Sequence, residues 1–231
     1  MNPLKLFLLV TLAICFTSMV GAQPANYPPD ARESIEWCDI WISHANETNL
    51  PRVLLIGDSI TRAYYPEVEK ILAGKAHVGR LSSSAFISDP ILLKQIEMML
   101  SEYKFDVVHF NNGMHGWQHS EKEYEQAFPN FLETIKKYAP DAKLIWANTT
   151  PLKVSPNLPP DNRTQATDER IAARNGIALK FVQETGIRVD DLNTPMRGRP
   201  ELHSDNVHFN DQGIAIQAAQ VAAQIEPLLK N

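Results

Sequence analysis

The sequence predicts an α/β protein, a three-layer α/β/α sandwich with a central parallel sheet of about five strands. Two observations predict it. Short, continuous apolar runs recur along the chain, as in strands covered on both faces. Between them lie longer segments whose apolar residues fall at helical intervals, so each run can return parallel to the last through a crossover helix. Composition agrees. The chain has 231 residues, of which 44% are hydrophobic and 21% charged, with 10 Gly, 16 Pro and 2 Cys. That mixture excludes a disordered polymer, a collagen-like fibre, a disulfide scaffold and a coiled coil.

The first 22 residues read as a secretory signal peptide. Lys5 is the positive start, Leu6 to Phe16 an apolar run, and Val20-Gly21-Ala22 a small-residue cleavage site. The run is shorter than the roughly 20 residues that span a bilayer, and no later stretch is long and apolar enough to do so. A lipid-anchoring reading at Leu12 to Cys15 is disfavoured by the bulky Ile14 before the cysteine. The expectation is therefore a secreted or periplasmic protein with no stable membrane anchor. Cleavage also removes Cys15 and leaves Cys38 alone, which excludes an intrachain disulfide; burial is expected of it, a thiol shared between chains being the other reading. The formal net charge of −5 gives no electrostatic reason to expect a nucleic-acid partner.

Residues 23–50 read as an N-terminal lead-in, extended at Asn26 to Asp30, and residues 51–231 as one domain. Arg52 to Gly57 (RVLLIG), Phe105 to Phe110 and Lys143 to Ala147 are the clearest strands. Ala76 to Gly79 and Gly186 to Val189 are weaker ones. Asp89-Pro90 is a helix cap followed by a first-turn proline, with Ile91, Leu92, Ile96, Met99 and Leu100 continuing the stripe. Ser120 and Glu123 have capping-box spacing. Tyr124, Phe128, Phe131, Leu132, Ile135 and Tyr138 then mark one helical face, which Pro129 should bend or break. Thr167 to Thr185 and Gln212 to Glu226 complete the helices. The proline-rich stretch from Pro151 to Asn162 is a loop at the carboxyl edge of the sheet, where open α/β proteins bind ligands.

Two motifs carry chemistry. Gly57-Asp58-Ser59-Ile60 follows the first strand, so Ser59 projects from the carboxyl edge at the start of a helix, where free N–H groups favour a developing oxyanion. The bland reading is a helix cap. Near the other end stands Asp205-Asn206-Val207-His208-Phe209-Asn210. A histidine has the pKa to take a serine proton, and an Asp three residues earlier can fix its tautomer. The bland reading here is a turn with Asn210 capping the next helix. In a parallel sheet both loops fall on one edge. G-x-S-x-G, phosphate-loop and dinucleotide fingerprints are absent.

In these two blocks the chain resembles the SGNH hydrolase superfamily, the GDSL-type esterases and lipases. The resemblance runs from about Arg52 to Leu229. It implies that Ser59 is a nucleophile and that Asp205 and His208 complete a catalytic triad. The middle blocks depart from the pattern. The family's second block has a glycine whose N–H helps bind the oxyanion; here the region reads Val78-Gly79-Arg80-Leu81-Ser82-Ser83-Ser84, with Leu81 in its place or Gly79 in another register. The third block, G-x-N-D, becomes Gly113-Met114-His115-Gly116. His115 then stands where Asn donates, a role it fills only in the right tautomer, with Asn111 and Asn112 near enough to substitute.

The expected function is a secreted serine esterase with a flavodoxin-like sheet, needing no cofactor or metal and most simply removing acetyl groups from a carbohydrate. A lipase or lysophospholipase and a non-catalytic carbohydrate-binding module of the same fold are the other readings. His109 is expected to be a packed core histidine. His115, His119, His203, Asp205 and His208 match no zinc spacing, a metal-assisted hydrolase built on this cluster being a further alternative reading. Trp117 can stack on a sugar ring or anchor its loop, and Tyr64 and Tyr65 are expected half-buried. Asn46, Asn148 and Asn162 head sequons, which matter only in a glycosylating host.

Overall fold

A computed structural model describes residues 32–156 and 165–229. The signal-peptide reading, Asn162 and much of the proline-rich loop lie outside them. Six strands form one sheet: β1 (Cys38–Ile42), β2 (Arg52–Gly57), β3 (His77–Ser83), β4 (Val107–Phe110), β5 (Lys143–Ala147) and β6 (Arg188–Asp190). Their order is β1-β3-β2-β4-β5-β6. The five expected strands are parallel, and β1 adds an antiparallel edge against β3, Cys38 opposite Ser83 and Ile42 opposite Gly79. The lead-in hides β1 because its residues, CDIWI, alternate poorly and lie within a polar stretch.

Five helices cover the sheet: α1 (Ser59–Ile71), α2 (Pro90–Glu102), α3 (Glu121–Tyr138), α4 (Asp168–Glu184) and α5 (Asp211–Ile225). Side chains alternate along each strand. Val53 and Leu55 of β2 therefore join the core under α1 and α5, while Leu54 and Ile56 join the one under α2, α3 and α4. All four are fully buried. Among the described residues no helix is long and apolar enough to cross a membrane.

The helix starts follow their local signals. Asp89 accepts from the Ile91 N–H ahead of α2, and Ser120 and Glu123 close a reciprocal capping box on α3. Pro129 does not break α3, which runs on to Tyr138. Burial of Phe128, Phe131, Leu132 and Ile135 outweighs the hydrogen bond the proline removes. Three other expectations are corrected. Tyr64 and Tyr65 are buried, at 1% and 2% exposure, because α1 packs against both the sheet and α5. Their hydroxyls reach Thr61 Oγ1 at 3.0 Å and the Val78 carbonyl at 3.1 Å. Cys38 is exposed at the outer end of the edge strand. Partial burial and the charge of Asp39 push its thiol pKa up, so it is a poor thiolate.

The chain turns back from β2 into α1 so tightly that a Cβ at Gly57 would sit 2.0 Å from Thr61 Oγ1 and 2.8 Å from its Cβ. Only glycine allows this approach. Gly57→Ala is expected to lower unfolding free energy by about 1–3 kcal/mol, as overpacking does, and to reduce activity as well, because the displaced turn carries Ser59; denaturant melts and an ester assay on the same preparation check both.

Candidate active site

The parallel strands run in the order β3-β2-β4-β5-β6, so chain connections leave β2 and β4 in opposite directions. The crevice beyond the carboxyl ends of two such strands is where doubly wound sheets place ligands. β2 ends at Gly57 and delivers Ser59; β4 ends at Phe110 and delivers the loop from Asn111 to Gly116. The Asn111 N–H donates to the Ile56 carbonyl at 2.9 Å and holds the two exits together.

Asp58 is the cap of α1, its carboxylate accepting the Ile60 N–H at 2.9 Å. The capping reading of this tripeptide and the functional one are thus both satisfied, by different residues. Ser59 occupies the first helical position, where its N–H has no intrahelical acceptor.

The second motif folds into a clasp. A 3₁₀ turn at Pro200–Leu202 leads to an isolated antiparallel bridge between His203 and Phe209. The Asn210 N–H donates to the Leu202 carbonyl at 2.8 Å, and Asn210 caps α5. At the tip, Asp205 Oδ1 accepts the Val207 and His208 N–H groups, each at 2.7 Å. Asp205 Oδ2 lies 2.8 Å from His208 Nδ1, and His208 Nε2 lies 2.8 Å from Ser59 Oγ. Desolvation is the largest single influence on Asp205 and opposes its ionisation. The two backbone N–H groups and the imidazole win, and hold its carboxyl down at about 2. An ionised Asp205 can only accept, so Nδ1 carries the proton and Nε2 is left to accept from the Ser59 hydroxyl. The three residues singled out by sequence are therefore in one hydrogen-bonded relay.

The expected oxyanion donors fare differently. Leu81 lies inside β3, paired with Ile40 on one side and Ile56 on the other, and is fully buried. Gly79 is equally internal. The strand continues to Ser83, beyond the expected end at Gly79, so neither register is free to donate. The chain leaves the ladder at Ser84 and Ala85. The Ser84 N–H is taken by the Trp37 carbonyl at 3.1 Å, and among the described residues the Ala85 N–H reaches only the Ser83 hydroxyl, also at 3.1 Å. Asn111 spends its amide on the Ala147 carbonyl and Thr149 Oγ1. Asn112 donates to the Ala85 carbonyl at 2.9 Å, tying the two loops. His115 is part-buried and pairs through Nδ1 with Glu33 at 2.9 Å.

Sequence reasoning overlooked what anchors the loop after β4. Arg174, on α4, is completely buried. Its guanidinium donates to the carbonyls of Gly113, His115 and Gly116 at 3.1, 2.7 and 3.0 Å. It also lies over Trp117, 4.0 Å from the ring, so Trp117 is a loop anchor. Burial lowers the Arg174 pKa to about 10, which leaves it charged at neutral pH. Arg170, one turn earlier, donates to the Trp117 and His119 carbonyls. Gly116, with φ of +70°, turns the loop against Phe86, where a Cβ would stand 2.2 Å from the ring. An arginine at i and i+4 facing a glycine-rich loop is the only sequence trace of this arrangement.

The remaining histidines are dispersed. His109 is fully buried in β4, with Nε2 2.9 Å from Asp190 Oδ2. His119 stacks on Phe86 and His203 packs on Phe209. Among the described residues the one group close enough to share a metal ion is His44, Glu47 and His77. It gathers at the start of β3 and the end of β1, across the sheet from Ser59. Asn148, at the head of a sequon, has its amide between Asp191 and the Asn193 N–H.

The profile of the GDSL-like Lipase/Acylhydrolase family matches residues 55–216. The chain belongs to this family. It is an ester-hydrolysing serine hydrolase with the family's fold. No curated protein matches it. Solved structures do. A GDSL-like lipase from Bacteroides thetaiotaomicron is 18% identical, with a TM-score of 0.62 over 77% of this chain and 89% of that one. A lipase/acylhydrolase from Enterococcus faecalis is also 18% identical, with a TM-score of 0.62 over 78% and 97%. An acetyl xylan esterase is 17% identical, with a TM-score of 0.58 over 75% and 99%.

Replacing Arg174 by Met keeps bulk and removes every donor. With several buried carbonyls left unpaired, at about 1–3 kcal/mol each, the variant is expected to melt well below the wild type and to lose ester turnover; calorimetry and an initial-rate assay check it.

Proposed function

We propose that the protein is exported and deacetylates a carbohydrate through an acyl-enzyme on Ser59. The observation that carries the mechanism is the relay of two 2.8 Å hydrogen bonds from Ser59 to His208 to Asp205. Ser59 Oγ attacks the ester carbonyl while His208 Nε2 takes its proton. Asp205 accepts from Nδ1 and stabilises the imidazolium. His208 then protonates the departing alcohol, and water enters by the same steps in reverse to release the acid.

The oxyanion needs donors already aimed at it. The Ser59 N–H at the start of α1 is one, and the helix dipole reinforces it. His115 is the second. The Ala85 N–H takes the role expected of Leu81, since its acceptor, the Ser83 hydroxyl, is a rotor that can turn away.

A carbohydrate acetyl ester is supported by the sequences of the loops at residues 81–89 and 151–162, which are not strongly apolar, and by the fold shared with an acetyl xylan esterase. Export is supported by the apolar leader before Gln23.

Ser59→Ala is expected to lower kcat by at least about 10³ without changing the melting temperature, and to abolish labelling by a fluorophosphonate. Asp205→Asn, which leaves the geometry but favours the wrong tautomer, is expected to cost about 10⁴. Because Asp205 titrates at about 2, lowering the pH toward 4 leaves it ionised, and a pH–rate profile is expected to show no loss of activity from protonation of Asp205 above that pH. Esters of graded acyl length decide the substrate: kcat/KM is expected to be highest for acetyl and to fall by about tenfold or more by octanoyl. A maximum at long chains would establish the lipase reading in its place.

A further inference from the structure

We propose that Glu33 is a positioning residue for the oxyanion site, its carboxylate keeping His115 as an imidazolium whose Nε2–H donates to the tetrahedral intermediate. This rests on the acyl-enzyme reading above.

The argument begins with the tautomer. Glu33 Oε1 lies 2.9 Å from His115 Nδ1 and 3.4 Å from the Gly116 N–H. A carboxylate accepts only, so Nδ1 carries a proton. A neutral ring in that tautomer has a lone pair at Nε2 and would repel an oxyanion. Only the doubly protonated ring donates there, and its charge-assisted hydrogen bond is about twice as strong as one from a neutral amide. Among the described residues no side chain or carbonyl bonds Nε2, although the side chain is only 16% exposed.

Position supports the role. The His115 loop leaves β4 beside the turn that carries Ser59. The ring meets the Trp37 ring edge-on at 6.2 Å, and Trp37 in turn lies under the guanidinium of Arg62, on the helix that Ser59 begins.

The surrounding charges also favour the cation. Glu33 and Glu36 face it from the N-terminal segment, and Asp58 from the turn after β2. Arg174, from α4, opposes them through its contact with the His115 carbonyl. Burial disfavours the imidazolium, yet Glu33, Asp58 and Glu36 prevail and raise the His115 pKa. Burial likewise opposes Glu33, and His115 holds its carboxyl below the usual range.

The segment bearing Glu33 is fastened independently of that pair. Arg32 Nε reaches Asp89 Oδ2 at 2.7 Å. Glu36 accepts from the Ser84 hydroxyl at 2.7 Å. The Trp37 N–H donates to Ser84 Oγ at 2.8 Å, and the Trp37 carbonyl accepts the Ser84 N–H. This strap therefore crosses both loops that supply oxyanion donors. It also precedes the family-matched residues 55–216.

The consequence is two opposed proton requirements: His208 neutral, to accept from Ser59, and His115 charged, to donate. As pH rises through the His115 pKa the donor is lost and kcat/KM falls. The test is kcat/KM against pH on p-nitrophenyl acetate for the full chain and three variants. The wild type is expected to show an alkaline limb. In Glu33→Gln that limb moves to lower pH by about one unit or more, with kcat falling and KM nearly unchanged. His115→Asn carries a donor that does not titrate, so it keeps activity within about tenfold and loses the limb. His115→Ala loses about 10²–10³ in kcat. An unmoved limb in Glu33→Gln, or a retained one in His115→Asn, overturns the proposal. Should Glu33→Gln fold poorly, ¹⁵N titration of the His115 ring in Ser59→Ala decides alone: two protons at neutral pH are expected, and one overturns it. Full turnover by Ser59→Ala would instead be the failure of the acyl-enzyme reading, a separate result.

Discussion

A 2.8 Å hydrogen bond joins Ser59 to His208 across 149 residues of chain, and the architecture is what makes so distant a pair meet. Parallel strands all point one way, so every loop that leaves a strand's end opens on the same edge. Ser59 uses the first such exit after the edge strand and the Asp205 clasp uses the approach to the last helix. The outer strands are spaced by the β ladder, and α1 and α5 pack together on one face. The register of the sheet and that helix contact therefore determine whether hydroxyl and imidazole are within bonding distance.

Around this relay the protein concentrates donors. The start of α1 leaves a free N–H at Ser59. Arg174 and Arg170 reach from α4 to hold the carbonyls of the loop after β4, turning a segment with few hydrogen bonds of its own into a fixed wall. Such a buried guanidinium is stable only because several carbonyls and the face of Trp117 replace its water. The price of preorganisation is a cation sealed in the interior, which the rest of the core must support.

Much of the fold was legible in the chain because the relevant forces are local. Continuous apolar runs marked four of the five parallel strands to within a residue or two, and Asp89, Ser120 and Asn210 announced the helices they cap. The antiparallel edge strand was not legible, since its stability comes from pairing with β3 and not from its own residues. The same omission explains Leu81. Without β1 the third strand appears to stop at Gly79, and a residue locked in the ladder is mistaken for the loop beyond it. Cys38 and the two tyrosines were misjudged for a related reason: burial depends on which element lies above a residue, and side-chain type only biases it.

What the sequence by itself determined is the chemistry on offer: a serine after a strand, an Asp-x-x-His before the last helix, and a histidine where an amide is usual in the family. Those identities are covalent, and no packing changes them. What only tertiary structure decided is which atoms face one another. It brought the three residues of the relay together, withdrew Leu81, and laid a carboxylate from position 33 against the ring at position 115, an encounter of residues 82 apart. Contacts of that kind depend on close packing in three dimensions, which periodicity along a chain cannot encode.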